Sequence, residues 1–282
     1  MALPAYATPL ERIWHVLFRV ICGLIFLFLI GPIFVIVPLS FNAEPYFTFT
    51  QKMLSLDPDG YSLRWYADFF QSDEWLRAIR NSFIVAIFST LLATVLGTIA
   101  ALGLSSRYMP YGPLIMGILI SPMVVPLIIS AAAMFFFYSD LGLSQTFPGV
   151  ILAHTALGIP FVVITVTATL SGFDRSLVRA AHSLGATPTT TFFRVVLPLV
   201  LPGVISGALF AFITSFDEVV VVLFLAGPEQ RTLPIQMWSG IREQISPTIL
   251  AVASMLVAIS ILLLTVLELL RRRTERLRGI TN

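Results

Sequence analysis

Residues 81–104 read NSFIVAIFSTLLATVLGTIAALGL, a run without a charged side chain. An α-helix rises about 1.5 Å per residue, so a helix over this run is long enough to cross a hydrocarbon core of about 30 Å. A transmembrane β-strand would need only about ten residues, with polar and apolar side chains in alternation, and this run does not alternate. The stretch therefore predicts an α-helix that spans a membrane.

Five more stretches of this kind can be marked along the chain. The 282-residue sequence is 57% hydrophobic and 11% charged, whereas a soluble domain carries about 25% charged residues. A disordered chain is also excluded, because disorder combines low hydrophobicity with high charge. We therefore predict an all-α, polytopic membrane protein with about six transmembrane helices. Besides 81–104, the predicted spans are Val16–Leu39, Pro113–Phe137, Pro148–Leu170, Gly203–Ala226 and Thr248–Leu270.

The distribution of Lys and Arg predicts the orientation of these spans. Most of the 17 Lys and Arg residues fall on one side when both termini are placed in the cytoplasm, the side that retains positive charge. Two arginines beside the second span lie on the opposite side. The chain then divides into a cytoplasmic segment (1–15), a transmembrane domain (16–270) and a basic cytoplasmic tail (271–282), and residues 171–201 form a long cytoplasmic loop. The first span is longer than the apolar region of a signal peptide and is expected to be retained.

Residue types that carry common enzymatic chemistry are scarce. Cys22 is the only cysteine, which excludes an intrachain disulfide, and the three histidines are too far apart to match a metal-site spacing. Lys52, the only lysine, does not belong to a G-x-x-x-x-G-K-[ST] phosphate-binding loop. We therefore predict that the chain is not an enzyme, holds no metal or cofactor, and does not hydrolyse ATP by that route.

The segment between the first two spans carries Trp65, Tyr66, Phe69 and Phe70 at helical spacing. This pattern predicts an amphipathic helix at the outer membrane interface. The favoured interpretation of this helix is an aromatic belt that only seats the protein. The loop before the last span contains Gly-Pro and Leu-Pro dipeptides, which predict turns.

The long cytoplasmic loop is predicted to contain two short helices. Asp174 can cap the first, and Gly185 suits a left-handed C-terminal cap. Thr187 followed by Pro188 is a favourable start for the second, which we expect to stop before Pro198. Two short helices at an angle can form a knob that docks into a groove of another protein. The alternative is a folded loop that packs on its own spans.

Two adjacent carboxylates, Asp217 and Glu218, lie near the middle of the fifth predicted span. A charge at that depth costs about 2.5–3.5 kcal/mol on insertion scales, so it usually faces a water-filled cavity or a partner. Asp217, with Glu218 and the neighbouring Phe216, is therefore a candidate for the path of a cationic solute. The alternative is an ion pair or hydrogen bond to another helix or subunit. His154 in the fourth span is interpreted as hydrogen-bonded structure.

One signature in the long cytoplasmic loop resembles that of ABC importer permeases, E-A-A-x3-G-x9-I-x-L-P. The spacing matches throughout, but Arg179 stands where that family has Glu, and Val195 where it has Ile. The charge reversal at Arg179 removes the salt bridge that a Glu would make on docking, unless Asp174 supplies the acid. The signature falls on Arg179, which departs from it, and on the matching residues Ala180, Ala181, Gly185, Leu197 and Pro198.

Further matches extend over most of the chain and resemble the spermidine/putrescine-type permeases. Related branches that carry opines, γ-aminobutyrate, phosphonates or other small amino compounds share much of this pattern. The matching segments are Ser40-Phe41-Asn42, Arg64-Trp65-Tyr66, Asn81-Ser82, Leu184 to Pro188, Ser215 to Val220, Gly227-Pro228, Leu233-Pro234 and Ser246-Pro247.

The resemblance implies the transmembrane domain of a type I ABC importer in a bacterial inner membrane. It implies import of a small cationic amino solute, such as putrescine or spermidine, by alternating access between outward-open and inward-open states. The implied partners are a second homologous permease, a dimer of cytoplasmic ATPases that bind ATP, a periplasmic solute-binding protein and membrane lipid, with no nucleic acid. The cytoplasmic loop would be the coupling loop to the ATPase.

Two functions of other classes fit the sequence less well. A secondary transporter driven by an ion gradient usually has a longer chain with internal repeats, and it has no use for a docking loop. A membrane enzyme would need paired catalytic residues or a metal cluster, and the sequence contains neither pattern.

Overall fold

The computed structural model describes residues 8–106, 108–243 and 246–277, without the side chains of Glu243 and of residues beyond Leu262 other than Thr265. The predicted N-terminal segment and basic tail therefore lie partly outside the described residues, at 1–7 and 278–282. The helices are α1 (Pro9–Leu39), α2 (Gln51–Leu54), α3 (Arg64–Gln71), α4 (Asp73–Leu104), α5 (Gly112–Val124), α6 (Leu127–Asp140), α7 (Phe147–Ser171), α8 (Ser176–Ser183), α9 (Pro188–Thr191), α10 (Leu197–Phe216), α11 (Val220–Leu225), α12 (Leu233–Glu243) and α13 (Thr248–Leu277).

The helices confirm the predicted all-α membrane class. Among the described residues, four helical stretches are long and apolar enough to cross a membrane: α1, α4, α7 and the continuous stretch Pro188–Phe216. The pair α5 and α6, which bends by 103°, counts as a fifth span only if the two helices cross the membrane as one broken span rather than form a re-entrant loop. The sixth predicted span lies in α13, which is apolar over Thr248–Leu262. Within the described residues, β pairing is limited to a bridge between Asn42 and Tyr61.

The helix contacts divide the chain into two units, one formed by residues 73–239 and one by the flanking segments. In the central unit, α4, α7 and α10 pack together through small side chains. A Cβ atom built on Gly207 of α10 would lie 2.7 Å from the Val162 Cα atom of α7. Small residues at such contacts let helix backbones approach closely in a membrane protein.

The flanking unit is organised around the fully buried Asn42 after α1. Its side-chain amide donates to the carbonyl oxygens of Tyr46 and Thr48, at 3.0 Å each. The Trp65 indole donates to the Asn42 carbonyl oxygen at 2.7 Å. A hydrogen bond of 2.7 Å also joins the hydroxyls of Tyr66 and Ser40. Because these aromatic side chains hold the α1 terminus against α3, they do more than seat the protein in a membrane.

The end of the second short loop helix differs from the prediction. The chain does not stop before Pro198: α9 continues through a π-helical turn, Phe192–Val196, directly into α10. The Leu197 N–H donates to the Phe192 carbonyl oxygen, a bond to the fifth residue back. This wider turn accommodates Pro198, which lacks an N–H and would clash with the preceding turn of a regular α-helix.

Candidate functional site

Two broken helices meet at a cleft in the central unit. The α5–α6 bend contributes residues 122–127, and the break between α10 and α11 contributes residues 217–220. The cleft has a volume of about 720 Å³, and its remaining walls are Leu157, Phe161, Ile213 and Thr214. Asp217 and Glu218 are the only charged side chains in this lining. Broken helices at membrane depth are typical of substrate sites in transporters, since unwound backbone is tolerated where it lines a cavity.

Asp217 offers a free carboxylate to this cleft. It is the residue at the C-terminal cap of α10, and its backbone N–H donates to the Ile213 carbonyl oxygen at 3.0 Å. Its side chain is exposed, and no described residue forms a hydrogen bond or ion pair with its carboxylate. The structure therefore gives no support, within the described part of this chain, to the alternative of a structural ion pair.

Glu218 has a different environment, although it is the next residue. Only 6% of its surface is exposed. Its carboxylate accepts hydrogen bonds from the N–H groups of Val220 (2.8 Å), Val221 (2.8 Å) and Val222 (3.1 Å). These are donors of the first turn of α11, which have no carbonyl partner within that helix.

The two carboxylates thus do not lie within a continuous helix, and the prediction of an unbroken fifth span was wrong. The helix α10 ends at Phe216, and α11 begins at Val220. The physical reason is the Glu218 side chain, which takes the place of the carbonyl acceptors that a continuous helix would supply. Two acids within a predicted span are unusual, but their positions in the sequence do not predict that one of them caps a helix.

Phe216 and His154, which were also singled out in the sequence, contact other residues outside the cleft lining. The Phe216 ring packs against Phe83 of α4 (centroids 5.3 Å apart) and Phe212 (5.7 Å), and it is not among the cleft-lining residues. His154, 1% exposed, forms a 2.8 Å hydrogen bond through Nδ1 with the Ser215 hydroxyl. This bond confirms the interpretation of His154 as hydrogen-bonded structure.

The α5–α6 bend, which forms the second wall of the cleft, was not predicted from the sequence. The stretch Pro113–Phe137 was interpreted as one unbroken span. Pro122 and Pro126 carry the signal that could have found it. A proline disfavours helical geometry in the residue before it, and Val125 at the bend is extended, with φ −70° and ψ 132°. Two prolines this close in an apolar run are a reasonable sign of a broken helix.

The long loop 171–201 forms its predicted first helix, α8, with a left-handed end. Gly185 has φ +81°, a conformation that strains L-residues. The Ala186 N–H donates to the Ala181 carbonyl oxygen and the Gly185 N–H to the His182 carbonyl oxygen, at 3.0 Å each. These two bonds define a Schellman motif, which confirms the role predicted for Gly185. Thr187 also caps α9 as predicted, accepting from the Thr190 N–H at 3.2 Å.

Asp174 stabilises the start of α8. Its carboxylate accepts from the Ser176 hydroxyl at 2.6 Å and from the Ser176 backbone N–H at 2.8 Å. These two hydrogen bonds, the hydroxyl first, and then the positive charge of Arg179 lower the pKa of Asp174 below its usual value. The acid is therefore charged at neutral pH, and Arg179 projects into solvent from the next turn.

The loop presents apolar side chains to its surroundings rather than burying them. Leu177, Leu184 and Phe193 are 43%, 89% and 59% exposed. Ala180 and Pro198 are exposed, and Ala181 and Leu197 are half-buried. Arg175 anchors the loop through a hydrogen bond to the Ser105 carbonyl oxygen. A folded, anchored knob with exposed Leu and Phe side chains has the surface expected of a docking element.

Comparison with known families agrees with this architecture. Residues 93–276 match the family described as binding-protein-dependent transport system inner membrane component. The chain belongs to this family. The match covers the cleft, the loop 171–201 and most of α13 of this permease.

Curated relatives extend the similarity to nearly the whole permease. It is 31% identical over 251 residues to the spermidine/putrescine transport system permease protein PotC of Haemophilus influenzae, covering 89% of this chain and 95% of that protein. It is also 31% identical over 261 residues to the putrescine transport system permease protein PotI of Escherichia coli strain K12, covering 90% of this chain and 88% of that protein.

A solved structure of an ABC transporter contains a chain with the same fold. The permease superimposes on a chain of a bacterial ABC transporter involved in the import of the acidic polysaccharide alginate, with a TM-score of 0.74 and 16% identity. The superposition covers 94% of this chain and 99% of the other. At that identity the similarity supports the fold alone.

Proposed function

We propose that this permease moves a small cationic amino solute, of the polyamine class that includes putrescine and spermidine, into the cytoplasm. The observation that carries the proposal is the exposed Asp217 carboxylate in a cleft lined mainly by apolar side chains at two helix breaks. The names of the relatives, which are putrescine and spermidine permeases, support the same class of solute.

The chemistry of the cleft suits an alkylammonium ion. An ammonium group gains charge-assisted hydrogen bonds from a carboxylate that has no other partner. The methylene groups of the solute can lie against Leu157, Ile213 and the Phe161 ring, which stacks on Phe210 at 6.1 Å. In this proposal Asp217 receives the ammonium group in transit, and Glu218 maintains the helix break beside it.

The energy for transport comes from a partner in this proposal. Two ATPase subunits bind and hydrolyse ATP in the cytoplasm, and α8 and the following π-helical turn dock on one of them. Closure of the ATPases then moves the coupling loop, which is continuous with α10 and hence with the Asp217 break. The spans alternate between outward-open and inward-open states, and no covalent chemistry takes place in this chain.

The complete importer includes further partners. A periplasmic solute-binding protein delivers the solute, as the description of the family as binding-protein-dependent suggests. A second, homologous permease forms the other half of the pathway. The chain lies in the bacterial inner membrane with both termini in the cytoplasm, because that arrangement keeps most Lys and Arg inside.

Arg179 makes a specific prediction about the ATPase. We expect an acidic or neutral surface opposite this residue, and Arg179→Glu should therefore lower uptake and weaken co-purification of the ATPase. Arg179→Gln removes the charge without reversing it, so its uptake and its ATPase recovery should lie between those of wild type and Arg179→Glu. The measurements are solute uptake and the amount of ATPase recovered with the permease. Unchanged or improved coupling in Arg179→Glu would show that Arg179 is a solvated side chain without a role in docking.

Titration of the cognate solute-binding protein tests the solute class. Putrescine and spermidine should bind more tightly than γ-aminobutyrate, opines and phosphonates in equilibrium binding measurements. Tightest binding of one of the other compounds would assign the permease to that branch and contradict the polyamine proposal.

A further inference from the structure

A buried chain of hydrogen bonds connects three helices behind the Asp217 break. The Ser89 hydroxyl of α4 donates to the Ser215 hydroxyl of α10 at 2.9 Å. The Ser215 hydroxyl in turn lies 2.8 Å from His154 Nδ1 on α7. All three side chains are buried, with exposed fractions of 1% for Ser89, 6% for Ser215 and 1% for His154. None of them lines the cleft.

His154 has a polar neighbour at each nitrogen of its ring. At Nδ1 this neighbour is the Ser215 hydroxyl, and which of the two atoms donates depends on the tautomer, because the Ser89 hydroxyl hydrogen can also bond to the Ala86 carbonyl oxygen at 3.2 Å. His154 Nε2 lies 3.9 Å from Glu218 Oε2, and it has no hydrogen-bond partner among the described residues. The Nε2 edge of the ring therefore lies next to the Glu218 carboxylate.

His154 thus contacts both sides of the break with one ring. Ser215 lies two residues before Asp217, at the end of α10, and Glu218 follows Asp217 and caps α11. The Asp217 carboxylate has no hydrogen-bond or ion-pair partner among the described residues. The direction in which this side chain points therefore depends on the backbone of the break. Because the ring is hydrogen-bonded to Ser215 and lies beside Glu218, it restricts the Asp217 backbone between them.

We propose that His154 is a positioning residue that aims the Asp217 carboxylate into the cleft by holding both sides of the α10–α11 break. This inference rests on the proposed function, in which Asp217 receives the ammonium group. Only a side chain with polar atoms at both the Nδ1 and the Nε2 positions can make both contacts. Asn reaches the first position and Gln the second, so each retains one contact and loses the other.

Uptake by the complete transport complex in membranes, at saturating binding protein and putrescine, tests this role. His154→Asn and His154→Gln should each lower the uptake rate by about 10-fold, because a displaced charged group loses much of its effect. Membrane abundance and ATPase co-purification should remain normal. Thr155→Val is the matched control: it removes the buried Thr155 hydroxyl, which bonds only to Ile151 O, from the same helix, and uptake should be unchanged.

A double-mutant cycle with Asp217→Asn separates positioning from packing. If His154 acts through Asp217, then His154→Asn/Asp217→Asn should transport as Asp217→Asn does, within about twofold. Three results would overturn the inference while the proposed function stands. The double variant could show the product of the two single losses of uptake, both His154 variants could transport normally, or both could be lost from the membrane. Normal uptake by Asp217→Asn alone would contradict the proposed function and the inference together.

Discussion

Replacement of Asp217 by Asn should lower uptake by about 5- to 150-fold, equivalent to about 1–3 kcal/mol in the transport barrier. Asn keeps the size and much of the hydrogen-bonding capacity of Asp but removes the charge that would attract an ammonium group. Membrane abundance and assembly with the ATPase should stay near normal, because no described residue depends on this carboxylate for a hydrogen bond. Uptake and membrane abundance should be measured in the same cells.

Glu218→Gln is the matched comparison for this experiment, since it removes the neighbouring charge. The Glu218 carboxylate accepts from three backbone N–H groups through both of its oxygens, whereas an amide has only one oxygen. At least one of these N–H groups would lose its acceptor, at a cost of up to about 1–3 kcal/mol, so abundance should fall as well as uptake.

Two results would contradict the role assigned to Asp217. Full abundance with full uptake would make it a tolerated, water-exposed side chain. Loss of the Asp217→Asn protein from the membrane would indicate that Asp217 pairs with a charge in another subunit, because stranding such a partner costs about 3–5 kcal/mol.

Gly185→Val should abolish most of the co-purification of the ATPase while membrane insertion stays normal. The left-handed backbone at Gly185, with φ +81°, strains an L-residue by about 1–2 kcal/mol. A Cβ atom there would meet nothing within 4 Å, so the strain comes from the backbone and not from a clash. The chain can relieve it by unfolding the end of α8, which disrupts the docking knob without affecting the spans.

Gly172→Val provides the control in the same loop, 171–201. Gly172 has φ −92°, which other residues adopt freely, and a Cβ atom there would lie 3.9 Å from the Thr169 carbonyl oxygen. ATPase recovery with Gly172→Val should match wild type. If Gly185→Val also co-purified with a normal amount of ATPase, the end of α8 would take no part in docking.

The spans and the loop helices were predictable because their causes are local. Lipid cannot supply hydrogen bonds to the backbone, so a long apolar run must become a helix. Similarly, Asp174, Gly185 and Thr187 act on backbone groups within a few residues of themselves. Short-range capping rules are therefore enough to locate both short helices in the sequence.

The cleft could not be predicted in the same way, because it depends on contacts between distant segments. Ser89, His154 and Ser215 come from three helices and meet only in the folded chain. Hydropathy treats 203–226 as one run, although the Glu218 side chain divides it into two helices. The helix α12, in a loop for which only turns were predicted, shows that Pro234 lies near the start of a helix rather than ending one.

The most direct test of the central claim is uptake by the reconstituted importer. The complete complex should be placed in vesicles that contain ATP, with the solute-binding protein and labelled putrescine outside. Putrescine should accumulate only when ATP, magnesium and the binding protein are all present, and an imposed proton or sodium gradient should not replace ATP. Accumulation driven by an ion gradient without ATP would contradict the central claim and identify a secondary transporter instead.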